Sequence, residues 1–168
     1  FTLPGFQQDT KKFKLYQENE NKIYLPKAYA LNKLGKPEVD KLENSGDDID
    51  LEFSGSMREN QLPVIETFMS ACKNQGGGLI CLGCGFGKTI ISLKIVSLLK
   101  KKTLIVVHKE FLLNQWLERI NEFLPQARVG RIQQNKVDII DKDIVIAMLQ
   151  SISMKEYPKD TFDSFGFV

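Results

Sequence analysis

Seven residues, Gly83-Cys84-Gly85-Phe86-Gly87-Lys88-Thr89, constrain this chain more than any others. They stand between the apolar run Leu79-Ile80-Cys81-Leu82 and a long amphipathic stretch beginning at Thr89. The order predicts strand, tight loop, helix. Glycines let the backbone curl until successive N–H groups converge, and the helix that follows adds the positive end of its dipole. A cradle of that kind suits phosphate oxygens. The run ends in G-x-G-K-T, with Leu82 at the position where the full phosphate-loop pattern, G-x-x-x-x-G-K-[ST], carries its first glycine. In that pattern Lys88 reaches the β and γ phosphates and the Thr89 hydroxyl ligates Mg²⁺. A plain glycine-rich turn between strand and helix is the alternative, and the flanking elements favour the phosphate loop.

The rest of the chain limits the setting. Its 168 residues suit one domain with an appendage, or two small units. With 42% hydrophobic and 26% charged residues it can bury a core. The longest apolar runs are strand-sized, so no segment is expected to cross a membrane. A net charge of +2 makes any nucleic-acid surface local rather than domain-wide. Cys72, Cys81 and Cys84 are accompanied by a single histidine, His108. Cys81 and Cys84 have C-x-x-C spacing, but one falls in the predicted strand and the other in the loop, and zinc would need a second such pair or a histidine pair. Reduced thiols in an intracellular compartment are the simpler expectation. Phe1 to Phe6 is too short and uncharged for a secretory signal, and a first residue other than Met is expected of a piece of a longer protein.

Composition changes near residue 53, which divides the chain into a small unit at 1–39, an acidic linker at 40–52 and an α/β domain at 53–168. In the first unit, Phe13-Lys14-Leu15-Tyr16 and Lys22-Ile23-Tyr24-Leu25 predict a β-hairpin about Glu18 to Asn21, with a short helix from Ala28 to Leu34 behind it. Lys11, Lys12, Lys14, Lys22 and Lys27 interleave with Phe13, Tyr16, Tyr24 and Tyr29. That pattern fits a half-buried hairpin with solvated edge lysines, or a stacking and phosphate-contacting face. Asp40 to Asp50 is acidic and turn-rich, as a linker or mobile loop would be.

From Arg58 strands and helices alternate. Arg58 to Lys73 carries Leu62, Ile65, Phe68 (or Met69) and Cys72 at helical spacing, and Gly76-Gly77-Gly78 breaks it. The helix from Thr89 to about Lys100 presents Ile91, Ile95, Leu98 and Leu99 as its apolar stripe. Thr103 to Val107 is continuously apolar and β-branched, as a parallel strand covered on both faces would be. Glu110 to Phe123 is a second amphipathic helix, with Trp116 as a core anchor and Pro125 as its stop. Strands are predicted at Ala127 to Ile132 and Ile144 to Met148. A doubly wound α/β sheet is the economical solution.

These residues together resemble the first RecA-like motor domain of superfamily 2 helicases, in the branch containing XPB and the helicases of large DNA viruses. The likeness spans Leu51 to Val168, and the small first unit resembles the leader of viral members. It implies that ATP with Mg²⁺ binds at Gly83, Cys84, Gly85, Phe86, Gly87, Lys88 and Thr89. It implies further that Gln61 contacts the adenine edge with Arg58 nearby. Val107-His108-Lys109-Glu110 matches the segment that the family lays on nucleic-acid phosphates, with His108-Lys109 where many members have Pro-Thr. Ile146-Ala147-Met148-Leu149-Gln150-Ser151 matches I-A-T-x-Q-S, with Met148 in place of threonine, so that Gln150 and Ser151 are its remaining candidates. Contacts of this class grip the backbone of DNA, or of RNA, without reading sequence.

Motors of this superfamily also need an acidic D-E-x-H or D-E-x-D segment, whose Asp orders Mg²⁺ and whose Glu positions the attacking water. Phe162 to Val168 resembles the approach to that strand, and no adjacent Asp-Glu pair stands in the sequence. The expectation is an N-terminal part of an ATP-dependent helicase or translocase, ending before that motif and completed by a second RecA-like domain. Alone it is expected to bind nucleotide without turnover, because phosphoryl transfer needs a positioned water and commonly an arginine finger. A different phosphate-loop NTPase, and a binding module with a vestigial loop, are the competing readings.

Overall fold

Two continuous β-branched runs form the centre of the sheet. Within the compact unit Lys41–Val168, Thr103–Val107 pairs in parallel with Ile144–Met148, residue for residue from Thr103 opposite Ile144 to Val107 opposite Met148. In chain order the strands are β1 (Gln17–Glu18), β2 (Ile23–Tyr24), β3 (Thr103–Val107), β4 (Val129–Gln133), β5 (Lys136–Val137) and β6 (Ile144–Met148). The helices are α1 (Lys27–Leu34), α2 (Leu62–Gln75), α3 (Lys88–Leu99), α4 (Glu110–Phe123) and α5 (Leu149–Ser153), with a short 3-10 turn, Glu59–Gln61, ahead of α2. The computed structural model describes residues 14–39 and 45–168.

The larger sheet has the order β3-β6-β4-β5, parallel except for the final β4–β5 hairpin. Along β6 the side chains alternate between two cores. Ile144 and Ile146 join Leu93, Val96, Leu113 and Ile120 on the face covered by α3 and α4. Val145 and Ala147 join Leu104 and Ile132 on the other face, which the segment from Ile152 through Tyr157 to Phe165 covers. The expected winding of helices over both faces is thus replaced on one side by a short helix and turns. Each fully buried Ile or Leu contributes roughly 1.5–3 kcal/mol relative to exposure.

Helix α3 departs from the single stripe expected of it. Leu93 and Val96 enter the sheet core, while Ile91 and Ile95 pack with Ile65 of α2 in a third cluster. Leu98, expected on the stripe, is exposed. A helix with apolar residues on several faces is one packed between layers. Helix α4 follows its periodicity: Leu113 and Ile120 are buried, Trp116 packs on the core, and Phe123 stacks on Phe53 at 5.4 Å between centroids. Its N-cap is Lys109, and Glu110 in the first turn complements the dipole.

Three expectations need correction. The run Leu79 to Leu82 forms no ladder, because no strand among the described residues lies beside it. Its alternation survives, however: Ile80 and Leu82 pack on the α2–α3 cluster while Leu79 is fully out in solvent. Second, residues 45–52, assigned by composition to the linker, pack against the sheet. Ile49 and Leu51 are buried, Ile49 N–H donates to the Lys100 carbonyl, and Lys102 N–H donates to the Asp47 carbonyl. Alternation of apolar residues within the acidic run, Ile49 and Leu51, was the overlooked signal. Third, in the unit Phe1–Asp40 the hairpin pairs Gln17–Glu18 with Ile23–Tyr24, so its first strand starts later than the Phe13-to-Tyr16 run suggests. The Asn19 carboxamide accepts the N–H groups of Asn21 and Lys22 and closes the turn. Lys11, Lys12 and Phe13 lie outside the described residues, as do Asp40 to Asn44.

Candidate phosphate-loop and nucleic-acid site

Gly87 ends the loop in a left-handed conformation, φ 90°, and Lys88 opens α3. Gly85 is also left-handed at φ 78°, and side chains at Gly83 or Gly85 would project into open space. The Phe86 ring packs into the α2–α3 cluster and ties the loop to the core. Among the described residues the backbone N–H groups of Gly87, Lys88 and Thr89 donate to nothing in the protein, as the first N–H groups of a helix ordinarily do not. Cys84 is exposed and Thr89 is half-buried in the first turn of the helix.

The Lys88 ammonium folds back over this cradle. Its Nζ donates to the carbonyls of Leu82 at 3.0 Å and Gly83 at 2.9 Å. A cation held at the mouth of a loop with free N–H donors, at a helix N-terminus, is a donor set that fits a polyphosphate. Mg²⁺ would reach this loop through the Thr89 hydroxyl and the phosphates it carries. The described residues contain no cluster of His, Cys, Asp or Glu suited to hold a metal without them.

Gln61 is brought directly to this loop. It is 2% exposed, and its Nε2 donates to the Phe86 carbonyl at 2.8 Å while its Oε1 accepts the backbone N–H of Arg58 at 3.0 Å. The Arg58 residue itself is exposed. Nothing in the sequence around Gln61 announces a contact with a residue 25 positions away.

The other candidates meet at the C-terminal ends of the parallel strands. Gln150, at the start of α5, donates through Nε2 to the His108 carbonyl at 2.9 Å, joining the loop after β3 to the loop after β6. His108 and Lys109 are exposed. Ser151 is different: it is 8% exposed, its hydroxyl accepts the N–H of Gln134, and its carbonyl accepts the Tyr157 hydroxyl. It braces the β4–β5 turn. Lys155, which the motifs did not single out, donates to the Gln134 carbonyl and the Asn135 side chain on the same edge.

With this geometry in place, comparison with known proteins decides the family. The family described as "Type III restriction enzyme, res subunit" matches residues 54–167. The chain belongs to that family. The chain is 36% identical over 157 residues to L396 of Acanthamoeba polyphaga mimivirus, a protein that carries the name of an ATP-dependent RNA helicase. That match covers 93% of the chain and 30% of the viral protein. It is also 55% identical over 68 residues, 40% of the chain and 15% of its relative, to the "DNA 3'-5' translocase XPB2" of Sulfurisphaera tokodaii. The chain shares its fold with the SWI2/SNF2 ATPase core of Sulfolobus solfataricus, solved in complex with dsDNA, at a TM-score of 0.50 and 20% identity over 66% of this chain and 24% of that one. The chain therefore spans about a third of the mimivirus protein's length and is a mixed α/β domain of the superfamily 2 helicase class. None of its described helices is long and apolar enough to cross a membrane.

Proposed function

We propose that the chain is the ATP-binding half of an ATP-dependent nucleic-acid translocase or helicase. The observation that carries this reading is the loop Gly83 to Thr89, with the Lys88 ammonium poised over carbonyls at its mouth and three free N–H groups at the start of α3. Lys88, which here donates to those carbonyls, would hold the β and γ phosphates of a bound Mg²⁺-nucleotide, and the Thr89 hydroxyl would hold its metal. When bound, the metal would supply charge neutralisation, while the chain's own residues supply position.

Nucleic acid is held along the strand ends by Lys109 and by the backbone of the two loops that Gln150 ties together, with His108 beside them. The res-subunit match, and relatives named for RNA helicase and DNA translocase activity, support that class of partner. DNA is the favoured strand, by likeness to XPB2. Hydrolysis in the whole protein requires an Asp-Glu pair and a second RecA-like lobe, and changes of grip between nucleotide states turn it into stepping. These 168 residues bind nucleotide without sustained turnover, inside the cell.

The test is thermal unfolding with and without Mg²⁺-ATP, for the natural sequence and for Lys88→Ala. A shift that the variant loses supports the reading. Equal behaviour of the two proteins would leave the loop a vestige and the chain a binding module.

A further inference from the structure

The unit Phe1–Asp40 repeats one short pattern three times. Lys14-Leu15-Tyr16, Lys22-Ile23-Tyr24 and Lys27-Ala28-Tyr29 each set a lysine two residues ahead of a tyrosine, with an apolar residue between them. The first runs into β1, the second into β2, and the third opens α1. In extended chain, residues two apart share a face. Ammonium and ring accordingly meet, with Lys14 Nζ 4.7 Å from the centre of the Tyr16 ring. Charge gathers in the same place. The unit has seven lysines against five acidic residues, whereas residues 41–168 hold sixteen basic and sixteen acidic ones, so the chain's whole net charge of +2 belongs to the small unit.

A half-buried hairpin with solvated edge lysines would cover its tyrosines. Here they are uncovered: none of the described residues 14–39 is buried, and Tyr16, Tyr24 and Tyr29 are 41%, 55% and 56% exposed. Tyr16 from the hairpin and Tyr29 from α1 line one open groove of about 650 Å³, together with Leu15, Ile23, Leu25 and Pro26. Glu18, the carboxylate on its wall, is paired with Lys14 Nζ at 2.6 Å. Lys22 and Lys27 stand next in sequence to lining residues and have no carboxylate partner among the described residues. The groove therefore offers ring faces and apolar surface, with free ammonium groups beside them.

An apolar peptide would use the apolar surface and leave the lysines without partners. A strand of nucleic acid uses both, its bases stacking on the rings and its phosphates drawing the ammonium groups. A duplex keeps its base faces inside, so the fit is to a single strand. Stacking asks only for a π-face, which every base has, so the surface reads no sequence.

We propose that the small unit binds single-stranded nucleic acid, with Tyr16 and Tyr29 as stacking platforms and Lys22 and Lys27 as phosphate contacts. The surface is formed by residues of the unit Phe1–Asp40 alone, and the inference holds whether or not the phosphate loop binds nucleotide.

The experiment titrates a fluorescein-labelled oligodeoxythymidylate of about 20 nucleotides, long enough to cover one such site, with the whole chain, and follows anisotropy without nucleotide at several salt concentrations. Three paired variants are compared: Tyr16→Leu with Tyr29→Leu, Tyr16→Phe with Tyr29→Phe, and Lys22→Gln with Lys27→Gln. Leucine keeps apolar surface and removes the ring, whereas phenylalanine keeps the ring. The leucine pair is expected to bind about five- to a hundredfold more weakly, the range of one lost base stack, and the phenylalanine pair to bind as the natural sequence does. The lysine pair is expected to flatten the slope of log affinity against log salt by about 0.7 for each lysine. Undiminished binding by the leucine pair would overturn the proposal, and so would an unchanged salt slope in the lysine pair. Equal loss in the leucine and phenylalanine pairs would replace ring faces by hydroxyls and overturn it as well. Binding lowered by Gln150→Ala but not by the leucine pair would leave the grip of the β3 and β6 loops standing and overturn this one. Absence of binding by the natural sequence would also overturn it, and dimerisation in sedimentation would then give the groove to a second copy. Circular dichroism shows whether the leucine pair is folded. If it is not, photo-crosslinking of the natural chain to the same strand carrying iododeoxyuridine decides: an adduct on Tyr16 or Tyr29 supports the proposal, and adducts only on other residues overturn it.

Discussion

The side-chain amide of Gln150 donates to the backbone carbonyl of His108 over 2.9 Å, although 42 positions separate the two. The bond ties the loop after β3 to the loop after β6 at the C-terminal ends of neighbouring parallel strands, where open α/β sheets place their ligands. Because the C=O of one residue and the N–H of the next point in opposite directions in a trans peptide, holding the His108 carbonyl turns the Lys109 N–H away from Gln150.

Replacing Gln150 with alanine frees the His108 peptide without touching a buried core residue. Affinity for a single-stranded oligonucleotide, measured by fluorescence anisotropy at fixed salt, is expected to fall by about two- to tenfold, the range of one ordinary hydrogen bond. Melting temperature stays within a degree or two, because Gln150 is exposed. Equal affinity in the variant would place the grip elsewhere.

Lys88→Ala removes two hydrogen bonds from an exposed side chain, so the ligand-free protein is expected to melt nearly where the natural sequence does. At Mg²⁺-ATP about 100 times above its Kd, binding stabilises the natural chain by about 2.7 kcal/mol. For a domain of this size that is a rise of roughly 5–10 °C. The variant shows no rise. A variant that rose equally would remove Lys88 from the site.

Asp143 makes a pH-dependent contribution to the stability of the fold. Its side chain is 8% exposed and accepts Arg128 Nη2 at 2.6 Å, Arg128 Nε at 3.0 Å and the Arg128 N–H at 2.8 Å. Burial pushes its pKa up, but the Arg128 bonds and charge, with Lys102 nearby, outweigh burial and hold the carboxyl below its usual value. A carboxylate with a depressed folded pKa stabilises above its unfolded value near 3.8, and that stability drains as pH falls below it towards the folded value. Asp143→Ala is therefore expected to lose about 1–3 kcal/mol at pH 7 in urea unfolding. The gap between the two proteins narrows below about pH 4. A gap that did not depend on pH would assign the loss to packing alone.

Leu93 has no exposed surface and packs where α3 meets the sheet. Leu93→Ala leaves a cavity and is expected to cost about 2–5 kcal/mol in urea unfolding. Below the shifted melting point the Mg²⁺-ATP rise persists, since Leu93 packs in the core and not in the loop. A loss under about 1 kcal/mol would mean that α3 does not pack on the sheet as described.

What could be read from the residues alone was whatever depends on near neighbours. Helix Glu110–Phe123 and strands Thr103–Val107 and Ile144–Met148 lie where their periods and β-branched runs put them, because a helix makes its own hydrogen bonds and a buried strand carries its apolar run with it. The loop from Gly83 to Thr89 was legible for the same reason: its left-handed glycines and following helix are local. Tertiary structure decided what needed a distant partner. Leu79 to Leu82 kept its alternation but gained no ladder, because a strand exists only beside another. Ile49 and Leu51 became core because the folded sheet with α3 and α4 gave them a surface to cover. Helix α3 was buried on two faces, which a single stripe cannot express. The partners of Gln61 and Gln150 lie 25 and 42 positions away, and a side-chain amide carries no sign of its partner until the chain has folded around it.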